Sequence, residues 1–300
     1  MKFGQVDNLD LVDFSLPLVS EETKTILSNI NRSNNLNFFF GASGWSDQKF
    51  KGIIYPPKTS AKNFLFEYAK QFNSIEVNAT RYGVPKKHVL QKWYDSVNED
   101  FKFSLKVPQV ITHRKNINDD QAKFKMDEFL LAVHQMGSKS GMSFAVMANY
   151  FKSSQLDELR TFVNSWPVDL PLAIEFRNPS WFSKEVVSQW QNLFLTKNIV
   201  PIVTDTPGRR DVVHFSLTNN HLFIRYVGDF NHVSGSLRVQ SWINKIEELV
   251  NLGVENIWFY VHQPGENRER ILLFYNLLIP KINKVLKTKI PLLKDFSTAT

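Results

Sequence analysis

The chain has 300 residues, 43% hydrophobic and 22% charged, enough for one large core or two ordinary domains. It has no cysteine, which excludes disulfides, thiolate catalysis and cysteine-ligated zinc. Its formal charge of +7, from 36 basic and 29 acidic residues, is a mild excess that favours anionic partners, a small anionic ligand before nucleic acid.

Residues 1–36 are polar and read as an N-terminal extension packed on the domain that follows, residues 37–300. The segment carries Asp10 and Asp13 and no apolar signal region. The longest apolar run, 271–279, is interrupted by Tyr275 and Asn276 and is too short to span a bilayer. A cytoplasmic protein with no membrane partner is therefore expected. From residue 37 onward a short apolar strand, a loop and an amphipathic helix recur. Strands are predicted over 38–41, 74–78, 102–107, 142–147, 172–176, 200–204, 222–226 and 257–261, and helices over 61–71, 86–97, 122–136, 154–164, 184–197, 239–252 and 269–285. Ser60, Ser153 and Ser183 stand at N-cap positions, and Gly137 and Gly253 where helices stop.

Strands alternating with helices predict parallel βα units, and eight of them in about 250 residues predict an α/β TIM-like (β/α)8 barrel. Between Asp205 and Leu222 the sequence Thr206-Pro207-Gly208-Arg209-Arg210 reads as a turn, so the sixth helix is expected to be irregular or missing. A doubly wound sheet would need a nucleotide-type glycine turn after the first strand. Gly41-Ala42-Ser43-Gly44-Trp45 instead runs into a long loop and favours a tight turn over phosphate binding.

In such a barrel the site lies where the strands end. Strand side chains alternate faces, so Glu76 shares a face with Asn78 and Glu175 with Arg177, opposite Ile75/Val77 and Ile174/Phe176. Charges on a strand end are costly to bury unless something uses them. Taken in order, the strand ends and following loops supply Ser43 and Trp45, Glu76 and Asn78, Lys106 with Thr112-His113, Glu175 and Arg177, Asp205, Arg225, and His262-Gln263. Glu76 and Glu175 are the candidate acid and base, with Asp205 a third carboxylate and His113 placed to shuttle a proton. Lys106, Arg177 and Arg225 suit a phosphate or carboxylate, alongside Asn78, Thr112, Ser43, Trp45 and Tyr82. Tyr55 and Trp181 are further aromatic residues placed to wall the pocket. The alternative is a self-contained network pairing Glu175 with Arg177 or Arg225, and Glu76 with Lys106.

A divalent metal on Glu76, Glu175, Asp205, His113 and His262 is a second reading. No His-x-His or His-Glu-x-x-His spacing occurs and the interleaved Lys and Arg neutralise the carboxylates, so no cofactor is expected. Ser43 lacks a Gly-x-Ser-x-Gly elbow. Of the other histidines, His88 and His134 fall on helices, and His214, His221 and His232 in loops or at a strand edge.

Four ordered motifs carry a family resemblance. They are Gly41-Ala-Ser-Gly-Trp45 with Gly52 and Tyr55-Pro56; Phe72-Asn-Ser-Ile-Glu76-Val-Asn78 with Tyr82 and Pro85; Phe101-Lys-Phe-Ser-Leu-Lys106-Val-Pro108 with Ile111-Thr-His113; and Glu175-Phe-Arg177 with Trp181-Phe182. Over residues 38–275 the chain resembles the domain-of-unknown-function 72, or YecE-like, family. The resemblance implies a TIM-barrel-like fold and polar positions at Glu76, Asn78, Lys106, Thr112, His113, Glu175, Arg177, Asp205 and Arg225, and brings no established reaction. The chain departs from the family pattern at Val146-Met147-Ala148, Arg225-Tyr226-Val227-Gly228 and His262-Gln263. The functional expectation is a hydrolase- or lyase-like enzyme acting on a phosphate- or carboxylate-bearing substrate. The alternatives are a barrel that grips a phosphodiester backbone, or an anion-binding module without turnover.

Overall fold

Each of the eight apolar runs forms a strand: β1 (Asn37–Ala42), β2 (Ser74–Val77), β3 (Lys102–Leu105), β4 (Ser143–Val146), β5 (Leu172–Glu175), β6 (Val200–Asp205), β7 (His221–Val227) and β8 (Asn256–His262). The computed structural model describes residues 4, 6, 8–33, 35–228, 234–264 and 268–297; His232 lies outside them. Helices α1 (Glu21–Ser28), α2 (Phe64–Ala69), α3 (Lys87–Asp95), α4 (Gln109–Thr112), α5 (Asp120–Gln135), α6 (Leu156–Ser165), α7 (Lys184–Lys197), α8 (Ser234–Leu252) and α9 (Glu269–Leu286) fall between and around them. Between β6 and β7 the described residues form one short 3-10 turn, Arg210–Val212. Ser183 precedes α7 at its N-cap without a side-chain capping bond, whereas Ser20 and Asp119 accept the capping bonds of α1 and α5. No helix among the described residues is long and apolar enough to cross a membrane.

The closed eight-stranded barrel expected from strand number and length is not what forms. The strands make a six-stranded parallel sheet in the order β1-β8-β7-β6-β5-β4 and a separate two-stranded parallel sheet, β2-β3. Side chains interrupt the ladder between β1 and β2. The Asn73 amide donates to the Phe38 carbonyl and accepts from the Phe40 amide, both at 2.8 Å. The Tyr68 hydroxyl accepts from the Ala42 amide (2.6 Å) and donates to the Ser74 carbonyl (3.1 Å). Backbone groups of β1 that would pair with β2 are thus satisfied by inserted polar side chains. Gly41 permits this close approach, since a Cβ there would come within 2.0 Å of the Ser74 carbonyl oxygen. Between β3 and β4 only isolated bridges form, Phe103 with Ser140 and Lys106 with Phe144.

Strand alternation divides the core. Ile75, Val77, Phe103, Leu105, Ile174, Val203, Ile224 and Phe259 join the large cluster beneath the helices. Met142, Phe144, Val146, Ala173, Val200, Ile202, Phe223, Trp258 and Tyr260 form a second cluster on the opposite, inner face of the strands. Within it the Tyr260 hydroxyl bridges Ser74 (2.6 Å) and Ser104 (2.8 Å), tying β8 to the two-stranded sheet.

The N-terminal segment is stitched to the β6–β7 region. Gly4 accepts from the Gly208 amide, Arg210 reaches the Asp13 and Ser15 carbonyls, and buried Thr23 of α1 accepts from Gln191 and from the Leu217 amide.

Candidate functional site

The inner-face residues that come after the apolar layer are polar. Glu76 follows Ser74 on β2, Lys106 follows Ser104 beyond β3, Glu175 follows Ala173 on β5, Arg225 follows Phe223 on β7, and His262 follows Tyr260 on β8. Strand parity alone therefore gathers five functional groups at one end of the inner face.

Arg225 occupies the centre. Its Nε and Nη2 donate to the two carboxylate oxygens of Glu76, at 3.0 and 2.9 Å, and its Nη1 donates to Glu175. Glu76 also meets Asn78 Nδ2 (2.8 Å) and His262 Nε2 (2.8 Å), while Arg177 Nε donates to Glu175 at 2.6 Å. Burial by itself raises the pKa of both carboxyls. Arg225 with His262 outweighs it for Glu76, which is held well below the usual range. Arg225 with Arg177 brings Glu175 down to about 2. Both carboxylates are therefore ionised at neutral pH, and their oxygens are engaged with the guanidinium groups. The arrangement is the self-contained network anticipated as an alternative, with Arg225 rather than Lys106 on Glu76.

Lys106 stands apart. It is 7% exposed, and its ammonium has one hydrogen bond among the described residues, to Asn78 Oδ1 at 3.2 Å, and lies 5.6 Å from the centre of the Phe144 ring. Burial first and the Arg225 charge second lower its pKa to about 7, against the opposing pull of Glu76 and Glu175. His113 is lowered to about 4, by burial and then by Arg177, Arg81 and Lys106, so it is neutral at pH 7; its Nδ1 meets the Thr112 hydroxyl at 2.9 Å. A cavity of about 550 Å³ lined by His113, Arg114, Lys115, Asn116, Asp119 and Glu158 flanks it.

Other expected residues take different places. Asp205 follows Val203, not Ile202, in the alternation and faces the helices. There it accepts from Arg210, from Arg238 (3.0 Å) and from the Trp242 indole (2.7 Å). Burial raises its pKa and the two arginines overcome this, leaving it lowered. Thr204 is the inner-face residue of that strand, paired in register with Arg225, and its buried hydroxyl has no hydrogen-bond partner among the described residues. Strict alternation along Val200-Ile202-Thr204 was the signal for it. Ser43 contributes its backbone carbonyl, which accepts from Asn78 (3.2 Å). Trp45 is partly buried edge-on against Trp93, and Tyr82 is 77% exposed with Arg81 over its ring. Tyr55 and Trp181 are both fully buried. Arg81 is a further cation near the site that sequence reasoning passed over. It lies three residues beyond Asn78 and bonds Gln109 (2.9 Å). Among the described residues no group of three or more His, Asp or Glu side chains is arranged to hold a metal ion.

Comparison with known proteins agrees with the motifs. The chain is similar to the UPF0759 protein YecE of Escherichia coli strain K12, 26% identical over 205 residues, 61% of this chain and 74% of that one. It is 28% identical over 200 residues to the UPF0759 protein YunF of Bacillus subtilis, 63% of this chain and 70% of that one. Crystal structures of DUF72 family proteins from Enterococcus faecalis and Thermotoga maritima share its fold. Their TM-scores are 0.62 and 0.61 at 18% and 22% identity, covering 85% and 84% of this chain and all of theirs. The model of the family "Protein of unknown function DUF72" matches residues 39–288, and the chain belongs to that family.

Proposed function

We propose that this chain is an enzyme that binds a small phosphate- or carboxylate-bearing substrate over the inner-face strand ends and acts on it by proton transfer. The observation that carries the reading is the local charge balance. Arg177 and Arg225 balance two carboxylates, Glu76 and Glu175, that are already ionised and bonded to arginine, and Arg81 and, when protonated, Lys106 add further positive charge around His113. An anion completes such a set, and arginine grips phosphate or carboxylate through paired N–H groups. In this reading Glu76 and Glu175 hold Arg225 in place and do not exchange protons. Lys106 and His113, the groups without a carboxylate partner among the described residues, carry the proton-transfer role, and a base with a pKa of about 7 suits work at neutral pH.

Calorimetric titration with inorganic phosphate tests this directly. Binding that is weakened in Arg177→Gln supports it, and absence of binding by phosphate and by small carboxylates at millimolar concentration overturns it.

A further inference from the structure

The protein contains three buried lysines among its described residues, and two of them are structural. Lys139 donates to the Tyr94 and Val97 carbonyls, both at 2.9 Å, and pairs with Glu99 at 3.2 Å. Lys245 pairs with Glu248 at 2.6 Å. Each of these two nitrogens has a carboxylate beside it, the arrangement a buried cation requires. Lys106 is built the other way. Its one hydrogen bond among the described residues is to an amide oxygen, it lies over an aromatic ring, and the charges around it are Arg225 and Arg177 with Glu76 and Glu175, two carboxylates already taken up in holding the arginines. Burial beside another cation is the environment that turns a lysine into a free amine and hence a nucleophile.

We propose that Lys106 forms an imine with an aldehyde or ketone carbonyl of a substrate whose phosphate or carboxylate group is held by Arg177 and its neighbours. The inference rests on the anion-binding reading given above and adds the substrate's reactive group. In the step itself the lone pair of neutral Nζ forms a bond to the carbonyl carbon, and the C=O π electrons move to oxygen. A proton passes from nitrogen to that oxygen to give the carbinolamine. The C–O bond then breaks with transfer of the second amine proton to the departing hydroxyl, so the products are the C=N linkage and one water. No oxidant, reductant or metal is needed. The resulting imine, once protonated, is an electron sink for the adjacent carbon: it acidifies a C–H bond there, or accepts the electron pair of a C–C bond that breaks there, to give the enamine. The neutral Thr204 hydroxyl lies on the same inner face, opposite Arg225 in register.

The free-amine fraction makes the site distinguishable from every surface lysine. With a pKa of about 7 against the ordinary 10.5, Lys106 presents on the order of a thousandfold more free amine at pH 7. The lower nucleophilicity of a less basic group offsets part of this, as it does for thiols, leaving an advantage of roughly thirty- to sixtyfold.

The experiment treats the full-length protein with glycolaldehyde phosphate, and in parallel with uncharged glycolaldehyde, then traps imines with cyanoborohydride and maps adducts by peptide mass spectrometry. The expected result is early, selective labelling of Lys106 by the phosphorylated aldehyde, with a rate that rises through pH 7, is slower for glycolaldehyde and is suppressed by inorganic phosphate. Lys106→Arg, which keeps the cation and removes the nucleophile, loses the selective adduct while retaining the fold by circular dichroism. If phosphate binds with the expected dependence on Arg177 but adducts spread over surface lysines and spare Lys106, the imine proposal is overturned and the anion site stands. If phosphate neither binds nor protects, the anion-site reading falls with it.

Discussion

The Arg225 network makes a quantitative demand on stability. Glu175 is 1% exposed, and its carboxyl is held at about 2 against 4.5, because Arg225 and Arg177 outweigh the opposing effect of burial. The interval between those values, at about 1.4 kcal/mol per pH unit, makes the ionised carboxylate worth roughly 3 kcal/mol to the folded state. Removing one partner of a buried ion pair costs about 3–5 kcal/mol by an independent route, which agrees. Glu175→Gln keeps the shape and removes the charge, and Glu76 still pairs with Arg225, so a loss near 3 kcal/mol is expected at pH 7. With a slope of about 3 kcal/mol per molar urea for a chain of this size, the unfolding midpoint falls by about 1 M. The folded pKa is depressed, so the stabilisation is complete above pH 4.5 and is lost as pH falls through 2. The gap between wild type and variant should accordingly be flat from pH 7 to pH 5 and narrow below. A midpoint within about 0.2 M of wild type at pH 7, or a gap that persists unchanged to pH 3, would mean that the arginines do not stabilise the Glu175 carboxylate in this way.

Lys106 should behave in the opposite sense. Its folded pKa lies below its unfolded one, so the cost of burying the ammonium is fully present below pH 7 and disappears as pH rises towards 10.5. Lys106→Met is expected to stabilise the protein by about 2 kcal/mol at pH 6, with the gain shrinking by pH 10, read from urea midpoints. Arg177→Gln should weaken phosphate binding about tenfold in calorimetry through loss of a charge-assisted hydrogen bond. Phosphate affinity should fall only gently with salt, with a log–log slope of about −1 to −2, whereas a phosphodiester backbone held by many cations gives a far steeper one. Asn73→Ala leaves the Phe38 carbonyl and Phe40 amide without their bonds and should cost about 2–3 kcal/mol. Faster hydrogen exchange at the Phe40 amide would register the same loss.

Much of this was legible in the sequence because the strands are short apolar runs bounded by turn signals. All eight strands lie within two residues of their expected positions, and seven predicted helices are present. α1 was missed because Glu21–Ser28 is largely polar and presents only Thr23 and Leu27 inward. Closure of the barrel was misjudged for a different reason. Strand count and length fix which segments are extended, but Asn73 and Tyr68 decide whether β1 and β2 share backbone bonds, and nothing in local periodicity reports that insertion. At the site, the parity of Glu76 with Asn78 and of Glu175 with Arg177 located the inner face. The same rule applied one residue earlier on β6 would have chosen Thr204 over Asp205, whose conspicuous charge pointed to the wrong side of the strand. Which carboxylate meets which cation depends on contacts between residues about 50 to 190 positions apart, such as Arg225 with Glu175 and Glu76 with His262, and only the fold supplies them.

The strand-end cluster holds Glu76 and Glu175 ionised on Arg225 and lets Lys106 give up its proton near neutrality. Carbon-13 labelling of lysine Cε, with the Lys106 resonance assigned by its disappearance in Lys106→Arg, lets that single group be titrated by NMR in the folded protein. The expected inflection lies at about pH 7 and shifts upward when phosphate is added. An inflection close to the ordinary lysine value of 10.5 would contradict it.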